Sequence, residues 1–456
     1  MLLWTAAALA NSWVLAHPRL VDASGPRTVE TLVVEDDRIV HIGPPRPVDA
    51  DLPVVDATGL TIVPGLIDAH VHLSMAPGGA FVERTDEERA DRRAHHLRAY
   101  VASGVVAVLD TGILPIDAEE ILGLAQTTPS PEIMLLGPLV SPPDGYLTAV
   151  LPAFDPTPDA ATLQRQLEAF DRFDPIGVKV TMEDGMLRPI WPWQRDEVLT
   201  ALAAQHRPLF VHAMEPEEYR YALDRLPVAA FVHPLDHPDD ALIARIRDIP
   251  VVTTLAVMDT LLVSGEPERL AAPHMQRVVP ADELAAAQDK DTIKASYRAV
   301  ADAILPKSPG LVKGLAAKAM SSKAPLRGRV RKLGAAVRTL HESGVTLVMG
   351  SDSGNWPVFL NEFHGATSVR EVELLAEAGL PPLDVLRIST LNGAVLLGLD
   401  DRLGTLEVGK EASFIAVQGD PLDDLSLLRN PAWVTLRGER RTPDDWMVDA
   451  AVRHVP

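Results

Sequence analysis

The 456 residues include no cysteine. Disulfide frameworks, thiol nucleophiles and thiolate metal sites are thereby excluded, and any bound metal must sit on histidine, carboxylate or modified lysine. No apolar run approaches the roughly 20 residues needed to span a bilayer. Positive charge is also scarce, with 42 Lys plus Arg against 63 Asp plus Glu and a formal net charge of −21. So acidic a chain is a poor partner for nucleic acid. Lysine is scarcest of all in the first part of the chain, where Lys179 is the only one before Lys290.

What is present is an ordinary globular composition, 47% hydrophobic and 23% charged, long enough to bury one large core or two smaller ones. Residues 1–10, MLLWTAAALA, end in a small-residue pattern but lack a basic region before the apolar run. The expectation is a soluble cytoplasmic protein, with export through this segment as the alternative. The expected partner is a small molecule, with no nucleic acid and no stable membrane span; a homo-oligomer is left open.

Both ends of the chain read as short strands. VETLVVEDDRIVHIGP suggests two strands around the turn Glu35-Asp36-Asp37, and GTLEVGKEASFIAVQGDPL with AWVTLRG repeats this character near the C-terminus. Neither part is large enough for a core of its own, which predicts one small β-sandwich domain built from residues 1–62 and 402–456. Between them, over residues 63–401, apolar runs alternate with amphipathic helical stretches, the pattern of parallel β/α units. The runs are LIDAHVHL, VVAVLDTG, EIMLLGPLV, GVKVTME, PLFVHAM, VAAFVHP, PVVTTLAV and VTLVMGSD. Eight such units predict a closed (β/α)8 TIM barrel. The interval of about 258–325 is too long for a plain connection and reads as an inserted lid or helical elaboration.

Reactive groups in such a barrel sit where strands end. Five of the runs finish in a polar residue followed by turn chemistry: His70 and His72, Lys179, His212, His233, and Asp352. His70 and His72 are one residue apart, so a strand projects them to the same side, where they can grip one ion. A single histidine of this kind is more often a hydrogen-bonded core residue, and Asp352 alone could be a helix N-cap. Together they have no structural use in a barrel interior of Val, Ile and Leu. Lys179, inside the apolar GVKV, would be a rim lysine on the plain reading. The functional reading is a desolvated neutral amine that combines with carbon dioxide to form an anionic carbamate able to bridge two cations, which arginine could not do.

VPGLIDAHVHL at residues 63–73 and the block from AGLPPLDVLRISTLNGAVLLGLDD to EVGKEASFIAVQGDPLDDL at residues 378–425 resemble the amidohydrolase superfamily of metal-dependent hydrolases. The resemblance spans nearly the whole chain, and the short step from His212 to His233 is similar to the imidazolonepropionase and Xaa-Pro dipeptidase-like branch. It implies that His70, His72 and Asp352 bind one metal, that His212 and His233 bind a second, and that carboxylated Lys179 bridges them. Zinc is the expected ion, with manganese or cobalt as alternatives. The implied reaction is hydrolysis of C–N bonds in amides, cyclic amides or dipeptides, with metal-activated hydroxide attacking and Asp352 moving the proton. A mononuclear deaminase-like site, with Lys179 structural, is one alternative; a catalytically inactive binding protein is another. The sequence departs from the family in having Phe231-Val232 ahead of His233 where an acidic residue is common, and His237 competes with His233 for the ligand role.

Substrate preference is not legible in Gly145-Tyr146, Trp356 or His364, the last being either near the substrate or on a helix surface. A basic run, LPKSPGLVKGLAAKAMSSKAPLRGRVRKL, carries Lys307, Lys313, Lys318, Lys323, Arg327, Arg329, Arg331 and Lys332 with no acid. It reads either as a solvated helix face or as a mobile cationic lid for carboxylate-bearing substrates.

Overall fold

A computed structural model describes residues 12–82, 84–143, 155–182, 196–263, 266–305 and 308–448. Residues 1–10, Gly145, Tyr146 and Lys307, considered above, lie outside these ranges.

Eight parallel strands follow one another in chain order around a single sheet. They are β1 (Leu66–Val71), β2 (Val105–Asp110), β3 (Glu132–Val140), β4 (Gly177–Thr181), β5 (Leu209–His212), β6 (Val228–Phe231), β7 (Val251–Val252) and β8 (Leu347–Val348). Every residue of β1, β2, β4 and β5 is buried, because helices cover the outside while side chains fill the inside. That two-sided burial makes each strand a continuous apolar run in the sequence. The ring closes between its first and last members: Ala69 N donates to Met349 O at 2.9 Å, Asp352 N to His70 O at 2.8 Å, and His72 N to Ser353 O at 2.9 Å. These three bonds tie His70 and His72 to the segment that carries Asp352.

The covering helices start where local chemistry says they should. Asp86–Ala102 opens with Thr85 and Glu88 in a reciprocal capping box, which satisfies two backbone donors at once. Between β7 and β8 the expected elaboration is helical, comprising Ala256–Val263, Pro267–Leu270, Pro273–Val278, Ala281–Gln288, Lys290–Ile304 and Gly310–Met320 before the long helix Lys323–Glu342.

The two chain ends meet in two sheets. One has four strands, with Trp13–Ala16 at its centre; the other has six and pairs Leu60–Pro64 antiparallel with Phe414–Gln418. Trp13, Leu15, Leu32, Val34 and Ile39 from the first sheet pack with Leu20, Ile62, Phe414 and Ala416 from the second, which is the shared core of a sandwich. Among the described residues, no helix is long and apolar enough to cross a membrane.

Candidate metal centre

Register along the barrel sets the height of each polar side chain. Lys179 lies opposite Leu139 and Phe210, while Thr181 lies opposite His212, so His212 stands one layer nearer the mouth than Lys179. All six predicted residues are buried, from 0% exposure at His70 to 6% at His212. Lys179 Nζ is 3.2 Å from His70 Nε2 and donates to Thr111 Oγ1 at 3.2 Å. Asp352 Oδ1 lies 3.2 Å from His70 Nε2 and 3.0 Å from His72 Nε2. The rings of His70 and His233 are 4.8 Å apart, and those of His212 and His233 are 4.2 Å apart. The structure thus gathers all six residues at one end of the barrel. His70, His233 and Asp352 bring one ligand atom each to within 4.8 Å of one another.

The outward nitrogens set the orientation of the rings. His70 Nδ1–H donates to Val232 O at 2.8 Å and His233 Nδ1 meets Thr254 Oγ1 at 2.8 Å, so each ring turns Nε2 inward. With its proton on Nδ1, His70 aims a lone pair at Asp352 Oδ1. A lone pair facing a carboxylate oxygen across 3.2 Å is repulsive unless a cation lies between them. Lys179 Nζ meets the His70 nitrogen, whereas His233 Nε2 and Asp352 Oδ1 are buried without a hydrogen-bond donor. A divalent ion fits this donor set and would relieve all three groups.

Burial, followed by the charge of Lys179, pushes His70 well below its ordinary range and His212 down to about 3. Burial and then His212 do the same to His233. Neutral imidazoles are the form a metal requires. Burial alone would raise Asp352, but the adjacent His72, with His233 and Lys179, holds it below the usual carboxylate range. Its φ of +58° places a non-glycine residue in the left-handed region, a local strain held by the backbone bond to His70.

The remaining assignments resolve by position. His233 is in the cluster, whereas His237 stands at the rim with 61% of its side chain exposed. Asp352 caps no helix, since the next one is Ala366–Glu377. His364 is not on a helix surface: it is 2% exposed, bonded to Tyr100 Oη at 2.9 Å and to Met75 O at 2.8 Å. Gly354, at φ +77°, makes room for it, because a Cβ there would meet His364 Cε1 and His72 O at 2.4 Å each. Of the basic run, Arg327 is paired with Glu266 at 2.5 Å, Arg329 with Asp236 at 2.7 Å and Lys313 with Asp302 at 3.5 Å.

Several residues around the centre were not singled out from sequence. Asp110 ends β2, is fully buried, and accepts from Leu73 N at 2.8 Å and Gly112 N at 2.9 Å. It carries the same strand-end signal as the five runs that were chosen. Asp68 accepts from Ser351 N and Oγ and from Ser368 Oγ, pinning β1 to the Asp352 segment; burial pushes its carboxyl up to about 6.

A family model for the Amidohydrolase family matches residues 61–442, and the chain belongs to that family. It is therefore a hydrolase of the class that acts on C–N bonds. Among solved structures, a Xaa-Pro dipeptidase with bound methionine has the same fold, with TM-score 0.69 and 19% identity over 94% of this chain and 99% of the other. A putative prolidase from Bifidobacterium longum gives TM-score 0.63 and 22% identity over 97% and 99% of the two chains. The ochratoxinase of A. niger gives TM-score 0.68 and 16% identity over 94% and 95%. Curated relatives match only in part. The 5'-deoxyadenosine deaminase of Methanothermobacter thermautotrophicus is 42% identical over 66 residues, which are 14% of this chain and 15% of that protein. A 5-methylthioadenosine/S-adenosylhomocysteine deaminase of Teredinibacter turnerae is 33% identical over 95 residues, 20% of this chain and 21% of that one.

Proposed function

We propose that this chain hydrolyses amide or dipeptide C–N bonds at a binuclear centre. In this reading His70, His72 and Asp352 hold one divalent ion, His212 and His233 hold the other, and Lys179 bridges them as a carbamate. Zinc suits these ligands, with manganese or cobalt as substitutes. The observation that carries the reading is the inward convergence of buried His70 Nε2, His233 Nε2 and Asp352 Oδ1, two of which have no hydrogen-bond partner.

Divalent ions bound there would supply a Lewis acid for the scissile carbonyl and a water acidified towards neutrality. The chain supplies the rest. Val232, Gly112 and Thr254 hold the histidine rings so that ligand nitrogens face inward. Asp352, kept ionised by its neighbours, takes the proton of the attacking water and returns it to the leaving nitrogen.

A second reading, a mononuclear deaminase with Lys179 as a structural residue, draws on the partial matches to deaminases. Metal analysis of the purified protein, coupled to a panel of dipeptides, N-acyl amino acids, lactams and aminopurines, separates the two. Two ions with amine or amino acid release support the first; one ion with ammonia release supports the second. A carboxylate-bearing substrate is proposed from the cations of the helix Lys323–Glu342. One of these, Arg329, reaches Asp236, three residues beyond His233.

A further inference from the structure

The loop after β8 buries Phe359, Leu360 and Phe363, with Asn361 and Glu362 between them. Glu362 O accepts from Gly354 N at 2.8 Å, which ties this part of the loop to the turn two residues beyond Asp352. The Glu362 side chain is 1% exposed, and neither carboxyl oxygen has a hydrogen-bond partner among the described residues. The Thr260 hydroxyl stands beside it and holds the carboxyl down against burial, and it also donates to Val257 O at 2.9 Å. Burial, and then the charge of Asp352, push the Glu362 carboxyl well above its usual range.

A buried carboxyl with no charged partner costs free energy unless something completes it. No arginine or lysine among the described residues is paired with it, and the Thr260 hydroxyl brings no charge. The missing partner is a hydrogen-bonding cation, and the Asp352 end of the barrel is where the reacting part of the substrate would lie. An amine one carbon from a scissile carbonyl fits this placement; an acylated nitrogen is neutral and has lost two donors.

We propose that Glu362 receives the free α-ammonium group of the substrate, so that the enzyme prefers dipeptides or α-amino amides with an unblocked N-terminus over their N-acylated counterparts. This rests on the C–N hydrolase reading above and adds a substrate class to it.

The test uses metal-loaded full-length enzyme and a panel of Xaa-Pro and Xaa-Leu dipeptides, each paired with its N-acetyl form. The wild type should favour the free amine by ~100-fold or more in kcat/KM, since a site built around a polar group rejects analogues lacking it. Glu362→Gln should compress that ratio to within about tenfold with metal content unchanged, and Glu362→Asp, with its shorter reach, should fall between. Equal cleavage of the N-acetyl forms overturns the proposal. So does loss of metal from a folded Glu362→Gln, which would make Glu362 a ligand. If no dipeptide is cleaved, the hydrolytic reading fails separately. Calorimetric titration with the same dipeptides then decides for Glu362: binding about tenfold or more weaker in Glu362→Gln upholds it, and unchanged or absent binding overturns it.

Discussion

The rings of His364 and His96 lie 4.1 Å apart at 30°, both fully buried, and together they join the catalytic end of the barrel to the helical insertion. On one side Tyr100 Oη links His364 to Ser353 Oγ at 2.5 Å, next to Asp352. On the other, His96 Nε2 meets Glu283 Oε1 at 2.9 Å, within the helix Ala281–Gln288. Burial pushes both histidines well below their ordinary range and raises Glu283 to about 7. A buried polar chain therefore links the insertion to the Asp352 turn.

Tyr100→Phe removes the hydroxyl that joins Ser353 to His364 and leaves both buried without that partner. The expected loss is about 1–3 kcal/mol of unfolding free energy, read from urea titration with an unchanged m-value.

Lys179→Ala should lose at least one metal ion and most activity, because no neutral side chain can bridge two cations. Elemental analysis with and without added bicarbonate reads this directly. Retention of both metals and of rate would return Lys179 to a structural role.

Asp352→Asn should lower kcat by several orders of magnitude while much of the metal remains, since a carboxamide oxygen can ligate but cannot accept a proton. Single-turnover kinetics at known metal content tests it. Near-normal turnover would place the proton transfer elsewhere.

Glu371 accepts from Thr253 Oγ1, Leu255 N and Ala256 N, yet burial pushes its carboxyl up to about 7. The folded state then holds a proton that the unfolded chain releases near pH 4.5, so its contribution is complete below the unfolded value and is lost as pH rises towards 7. Unfolding free energies of wild type minus Glu371→Gln should fall between pH 4 and 8 by on the order of 3 kcal/mol. A flat difference curve would contradict this.

Charge reversal at Lys313 and Lys318 should raise KM for an anionic substrate far more than it lowers kcat, and kcat/KM should fall with salt. A salt-independent kcat/KM would leave the basic run as surface. Because Arg327 and Arg329 are already paired, the effect should be smaller than the sequence charge suggests.

The barrel was legible because strands buried on both faces are written as unbroken apolar runs, and because His70, His72, Lys179, His212, His233 and Asp352 interrupt them at their ends. Asp110 interrupts its run in the same manner and could have been chosen. Glu362 could not. Its burial depends on Leu360 and Phe363 turning into a core assembled from distant helices, and in the sequence it is one more loop glutamate. His364 was ambiguous for a related reason, since its partners Tyr100 and His96 come from another helix. The insertion's length was visible, but not that its cations would be neutralised by Glu266 and Asp236.

Strand Leu60–Pro64 runs almost directly into β1, the strand of His70 and His72, and Pro64 finds its sheet neighbour in Phe414. Every proposed metal ligand is therefore synthesised before the second of the two strands that flank Leu60–Pro64. A nascent chain that has just passed Asp352 carries every proposed ligand while the strand leading into β1 is paired on one side only, with Arg19–Asp22. The separation of Pro64 from Phe414 slows that last pairing, so the sandwich is completed only after all the residues of the centre have been made.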